Sequence, residues 1–202
     1  PKRSGKTMAY LPSLLTLLSD TDNDVENKQG PIGIIFVSSS REVENIYKLC
    51  RKMVDMRKMS IVTAFGKWNC AEKQLKLLNG VHLLITTPPC FLRLLSQVED
   101  LKIIDRERIQ FIVFDNFDLI YEKFKNDLLE VVKVTTRGAD HPEKNPQIII
   151  TTSKWLSSNT NMLKLSCRPL VIIGDHIEAG IYAKSRFIVR RLSHEEKQKS
   201  LL

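Results

Sequence analysis

Apolar and polar residues alternate along this chain in short blocks. The run Ile109-Gln110-Phe111-Ile112-Val113-Phe114 is β-rich and ends on Asp115-Asn116-Phe117-Asp118. A short apolar run bounded by polar residues predicts a buried strand of a parallel sheet. Similar runs predict strands over residues 32–37, 59–64, 81–85, 147–151, 170–173 and 186–191. Between them lie helical patterns. Leu11, Leu14, Leu15, Leu17 and Leu18 mark an amphipathic helix that starts at Gly5 and is interrupted early by Pro12. Further helices are expected over 41–56, 72–78, 91–95, 118–134 and 193–202, the second of these six capped by Ser39 or Ser40. Loops are expected over 19–30, 65–69 and 135–146, and Asn79-Gly80 is a strong break. Strands that alternate with helices, without any repeat, predict an α/β fold: a doubly wound parallel sheet flanked by helices on both faces.

The chain has 202 residues, enough for one substantial core and too few for two full α/β domains. Residues 1–182 are expected to form that domain, and residues 183–202 a connection and the start of another. The chain begins without Met, inside a loop, and is read as a piece of a longer protein. No apolar run is long enough to cross a bilayer, and no membrane partner is expected. A net charge of +8 favours a polyanionic partner such as RNA or DNA. Cys50, Cys70, Cys90 and Cys167 make no Cys-x-x-Cys pair, which argues against a zinc site and for free thiols in a reducing, cytoplasmic setting. His82, His141, His176 and His194 form no cluster.

The candidate chemistry sits at strand ends. Ligands of parallel sheets bind beyond the carboxyl ends of the strands, which is where Asp115 and Asp118 fall. Ser4-Gly5-Lys6-Thr7 has the form of the end of a phosphate-binding loop. Backbone amides at the helix start and the Lys6 charge attract phosphate. The hydroxyl of Thr7 and an acid after a later strand, Asp115, are the usual holders of the accompanying magnesium. A helix cap accounts for Asp-x-x-Asp equally well, taken alone.

In order and spacing, six segments are similar to motifs of the first RecA-like lobe of DEAD-box RNA helicases, and the similarity covers nearly the whole chain. Ser4-Gly5-Lys6-Thr7 resembles the end of that family's phosphate loop. Ser39-Ser40-Arg41-Glu42 stands at its Pro-Thr-Arg-Glu, Phe65-Gly66-Lys67 at its paired glycines, and Thr87-Pro88-Pro89-Cys90 at its Thr-Pro-Gly-Arg. Asp115-Asn116-Phe117-Asp118 stands at Asp-Glu-Ala-Asp, and Thr152-Ser153-Lys154 at Ser-Ala-Thr. The resemblance implies a RecA-like fold, ATP and magnesium as cofactors, single-stranded RNA as a partner near Arg41, Gly66 and Thr87, and a second RecA-like lobe in cis. It makes Asp115, Asn116 and Asp118 the catalytic positions, with Ser4, Gly5, Lys6 and Thr7 on the phosphates.

The departures set the functional expectation. Asn116 stands where the family has a glutamate that helps orient and deprotonate the attacking water. An amide has no basic form near neutral pH. Arg3 replaces a loop glycine and hinders close backbone approach to phosphate. Cys90 replaces an arginine that helps hold the RNA-binding loops. No counterpart of the family's upstream adenine-reading motif is present. Such decay resembles the helicase-like region of Tudor-domain-containing proteins of the piRNA pathway, of the Yb and Tudor-domain-containing-protein-twelve type. That implies piRNA-pathway proteins as partners and a place in cytoplasmic, perinuclear ribonucleoprotein granules. The leading expectation is a degenerate helicase lobe that binds RNA and protein and turns ATP over slowly or not at all. The alternatives are an active ATP-dependent RNA helicase with an unusual acidic motif, and an unrelated phosphate-loop kinase or nucleotide switch.

Overall fold

A computed structural model describes residues 4–20, 29–66, 70–96 and 104–172. By its contacts the chain divides into two units, Pro1–Pro169 and Leu170–Leu202, and the first carries every element described here. In chain order these are α1 (Lys6–Ser19), β1 (Pro31–Phe36), α2 (Ser40–Met53), β2 (Ile61–Ala64), α3 (Cys70–Leu78), β3 (Val81–Thr86), α4 (Pro88–Ser96), β4 (Phe111–Phe114), α5 (Phe117–Thr135), β5 (Gln147–Ile150) and α6 (Ser157–Leu163). A 3-10 turn, Pro142–Lys144, precedes β5.

The five strands are parallel and lie in the order β2-β3-β1-β4-β5. The chain runs outward from β1 to β2, returns to β3 beside β1, then crosses β1 to reach β4 and β5. The strand order therefore reverses at β1, the position at which open α/β sheets bind ligands. Successive side chains of a strand point to opposite faces, and the core divides accordingly. Ile34, Phe36, Leu84, Ile112 and Phe114 pack with residues of α3, α4, α5 and α6. Ile35, Val37, Leu83, Ile85 and Val113 pack with residues of α1 and α2. Gly33 lets α1 approach: a Cβ there would meet Leu18 and Leu83 at 3.3–3.4 Å. On the first face Phe36 stacks on Phe114 at 5.3 Å and meets the edge of Phe91 at 5.2 Å. Phe117 continues the cluster at 5.9 Å from Phe114, which fixes the chain leaving β4 against the core.

The expected strands over 32–37, 59–64, 81–85, 147–151 and before Asp115 are all present, shifted at their ends by one or two residues. Three expectations need correction. Pro12 does not interrupt α1, which runs unbroken through it. Proline removes one amide donor, and both Pro12 and Met8, whose carbonyl loses its partner, are exposed to solvent. The helix expected from Phe91 begins three residues earlier, because Pro88 and Pro89 fall in its first turn, where a missing N–H costs nothing. Residues 170–172, expected in a strand, have no strand pairing. An apolar run becomes a strand only where a neighbour offers its edge. Residue 173, the strand over 186–191, the helix over 193–202 and the domain boundary after 182 lie outside the described residues, as do Arg3 and Lys67.

Candidate functional site

The phosphate-loop end and the acids meet at the carboxyl ends of β4 and β5. Gly5 caps α1 in the left-handed region, with φ +77° and ψ 9°. Nothing lies within 4 Å of the place a Cβ would take, so backbone conformation alone favours glycine. Ser4 and Gly5 are exposed at the start of the helix. The Lys6 ammonium donates to Ser153 Oγ at 3.1 Å and Ser4 Oγ at 3.4 Å, which ties the loop to the segment after β5.

Asp115, 2% exposed, follows β4 directly. Its Oδ2 accepts the Thr7 hydroxyl at 2.6 Å and the Tyr10 hydroxyl at 3.1 Å. Its Oδ1 accepts the Thr151 hydroxyl at 2.6 Å. A buried carboxylate is stable only when so supplied with donors. Burial first, and then the Asp115 charge and hydrogen bond, push the Tyr10 hydroxyl far above the ordinary tyrosine range, so it remains a protonated donor. Thr7 spends its proton on Asp115 and keeps its oxygen lone pairs, which suit a hard cation.

Asn116 caps α5 with φ 59° and ψ 58°, the one non-glycine residue with positive φ among those described. Asn tolerates this region better than other L-residues. Its N–H donates to Thr151 Oγ1 at 2.9 Å, and the next amide, of Phe117, donates to Thr151 O at 2.8 Å. Its side-chain Nδ2 lies 3.5 Å from Glu42 Oε1. The other Glu42 oxygen is occupied: it accepts from Ser38 N at 3.0 Å, Ser38 Oγ at 2.6 Å and Ser39 Oγ at 3.3 Å. Ser39 is the cap of α2, accepting from Glu42 N. Asp118 points to the segment after β5, where Thr152 Oγ1 and Ser153 N each donate to its Oδ1 at 3.3 Å.

Arg41, Gly66 and Thr87 follow the carboxyl ends of β1, β2 and β3, three adjacent strands. Arg41 and Gly66 are exposed. Thr87 is 5% exposed, and its carbonyl accepts from Phe91 N in the first turn of α4. Thr87 is therefore buried where that turn begins, and the open surface there belongs to Arg41 and Gly66. The sheet thus carries two adjacent halves. The phosphate-loop and acid residues stand over β4 and β5, and the expected RNA residues stand over β2, β3 and β1. The Asn116–Glu42 contact and Lys123 Nζ, 3.5 Å from Ser38 O, join the halves.

Tyr10, Thr151 and Arg93 were not singled out from sequence. Tyr10 has the helical spacing of a core residue. Thr151 closes an apolar strand, where a hydroxyl in place of an aliphatic side chain was the available signal. Arg93 contacts the Gly66 carbonyl from α4.

The model of the DEAD/DEAH box helicase family matches residues 1–163. The chain belongs to that family. The silkworm (Bombyx mori) protein described as putative ATP-dependent RNA helicase TDRD12 is 28% identical over 205 residues, covering all of this chain and 11% of that protein. Putative ATP-dependent RNA helicase BoYb of Drosophila melanogaster is 24% identical over 217 residues, covering 98% of this chain and 20% of that protein. The chain therefore spans a small part of these relatives. The yeast DEAD-box splicing factor Prp28 shares the fold, with a TM-score of 0.63 at 17% identity over 80% of this chain and 37% of that one. Prp28 from Chaetomium thermophilum, solved bound to ADP, gives 0.62 at 20% identity over 83% and 38%. The fold is the RecA-like lobe of a DEAD-box helicase. DEAD-box helicases bind RNA, bind ATP with magnesium, and carry a second lobe of this kind. The residues present fit the phosphate and magnesium part of that ligand: a left-handed glycine at a helix start, a lysine, and a threonine hydroxyl on a buried acid.

Proposed function

We propose that this lobe is a degenerate member of its family, a module that holds single-stranded RNA and protein partners and hydrolyses ATP very slowly or not at all. The observation that carries the reading is the surroundings of Asn116. In the family this position carries the glutamate that faces the attacking water; here it carries an amide, whereas proton removal needs a base within hydrogen-bond reach. The carboxylate in contact with Asn116 is Glu42, and three donors from Ser38 and Ser39 already commit its far oxygen to the start of α2. Lys6 and the amides following Gly5 would hold the phosphates, and Thr7 with Asp115 the magnesium, whose charge would neutralise the phosphate oxygens. Asp118 would brace the segment after β5 rather than act on water.

RNA would cross the ends of β1, β2 and β3 near Arg41 and Gly66 through its phosphates and sugars, with little sequence preference. The resemblance to Tudor-domain-containing helicases is the ground on which a role in RNA silencing of the piRNA type is proposed, with partners from that pathway in cytoplasmic, perinuclear granules. The protein carrying both lobes tests the binding reading. Unrelated single strands should bind alike, and Arg41→Ala should weaken each to the same degree. A strong sequence-dependent loss, or no RNA binding by the parent, contradicts it. Nuclear staining of the tagged protein contradicts the placement.

A further inference from the structure

The turn after β2 is held from two helices. From α4, Arg93 Nη2 donates to the Gly66 carbonyl and lies 3.3 Å from Cys90 Sγ. Cys90, one helical turn before Arg93, has its sulfur 3.9 Å from the same carbonyl. From α3, Lys73 Nζ sits 5.3 Å from the centre of the Phe65 ring. Gly66 itself is left-handed, φ +66°, a conformation that glycine adopts without steric cost, so what the neighbouring side chains add is the placing of its carbonyl. The Arg93 Nε is buried with no acceptor among the described residues, and the Gly66 carbonyl is the backbone oxygen that its Nη2 reaches. A charge-assisted bond to a backbone carbonyl is among the stronger single restraints available to a turn.

We infer that Arg93 is a positioning residue: it fixes the Phe65–Gly66 turn so that the turn's outer edge faces RNA, without touching the RNA itself. The part concerning RNA rests on the binding reading above. The part concerning the turn does not. Cys90 and Arg93 share one face of α4, three residues apart, and both reach the same oxygen. An arginine at position 90 can therefore take over the contact.

The test uses the protein carrying both lobes. Arg93→Ala should shift the Gly66 amide resonance and speed its hydrogen exchange, and should weaken single-stranded RNA binding about tenfold, the scale of one charge-assisted bond. The slope of affinity against salt should stay that of the parent, because no phosphate contact is lost. Adding Cys90→Arg to Arg93→Ala should restore both the Gly66 signal and the affinity, whereas Arg93→Lys should restore neither in full. An unchanged Gly66 amide in Arg93→Ala overturns the inference, whatever RNA does. A salt slope reduced by about one overturns it in favour of a direct phosphate contact. RNA binding at parental strength with a disturbed Gly66 amide overturns the RNA part alone. A parent that binds no RNA refutes the binding reading, and the Gly66 amide still decides the role of Arg93.

Discussion

Thr151→Val removes one hydroxyl that serves two groups at once. Thr151 Oγ1 donates to Asp115 Oδ1 at 2.6 Å and accepts from Asn116 N at 2.9 Å. Valine keeps the branched shape and takes away both bonds. A hydrogen bond to an ionised group contributes about 1.5–3 kcal/mol, and an amide left unpaired costs about 1–3 kcal/mol. Asp115 keeps its bonds from Thr7 and Tyr10, and Thr151 is half-buried, so water recovers part of the loss. The expected destabilisation is then about 2–4 kcal/mol. Urea unfolding measures it, as a lower midpoint at unchanged slope. Thr151→Ser, which keeps the hydroxyl and loses one methyl, should stay within about 1 kcal/mol of the parent. A valine variant as stable as the parent, or a serine variant as damaged as the valine one, would refute the two-bond reasoning.

Thr7→Ala and Asp115→Ala should each weaken magnesium-ATP binding by tenfold or more in the protein carrying both lobes, the scale of about 1.4 kcal/mol. Equal affinity for parent and variants in a titration sinks the assignment of this pair to the metal. Burial pushes the Cys50 thiol up to about 12. At pH 8 it should resist alkylation in the native protein while exposed Cys167 reacts, with peptide mass spectrometry reading each site. The native state holds the Cys50 proton more tightly than the unfolded chain does. Its contribution to stability is therefore complete below the ordinary thiol value of about 9 and is lost as pH rises toward about 12. Rapid native labelling of Cys50 contradicts its placement.

Much of the sheet was legible because its strands are short apolar runs and the helices between them have a different period. Helix α6 was not. Ser157-Ser158-Asn159-Thr160 is a poor helix-forming stretch with an apolar stripe too short to register, yet Asn159 Oδ1 accepts from Leu156 N and fixes its first turn. Lys6, Thr7, Asp115 and Asp118, candidates named from motif form, are brought together at the ends of β4 and β5. The Thr151 and Tyr10 hydroxyls on Asp115 were not legible in the sequence, since each looks like an ordinary member of a buried strand or helix face. The contact between Asn116 and Glu42 spans 74 positions of sequence, and only the crossing of the chain over β1 brings the two residues together. Burial is not legible from motif form either: Thr87, placed on the RNA side by motif order, is 5% exposed where α4 begins.

The most direct measurement is RNA-stimulated ATP turnover in the protein carrying both lobes, for the parent and for Asn116→Glu. Loss of a general base typically lowers rate by about 10²–10⁴. The parent should therefore turn over near background with RNA saturating, and Asn116→Glu should raise the rate within that range. The left-handed backbone at position 116 makes glutamate cost about 1 kcal/mol of stability there, which the same preparation can check by urea unfolding. If Asn116→Glu is silent, the pair Arg3→Gly with Asn116→Glu separates a blocked phosphate loop from a missing base. Turnover by the parent at about 1–10 s⁻¹, an ordinary enzyme rate, would contradict the degenerate reading and establish an active helicase lobe that works without the glutamate.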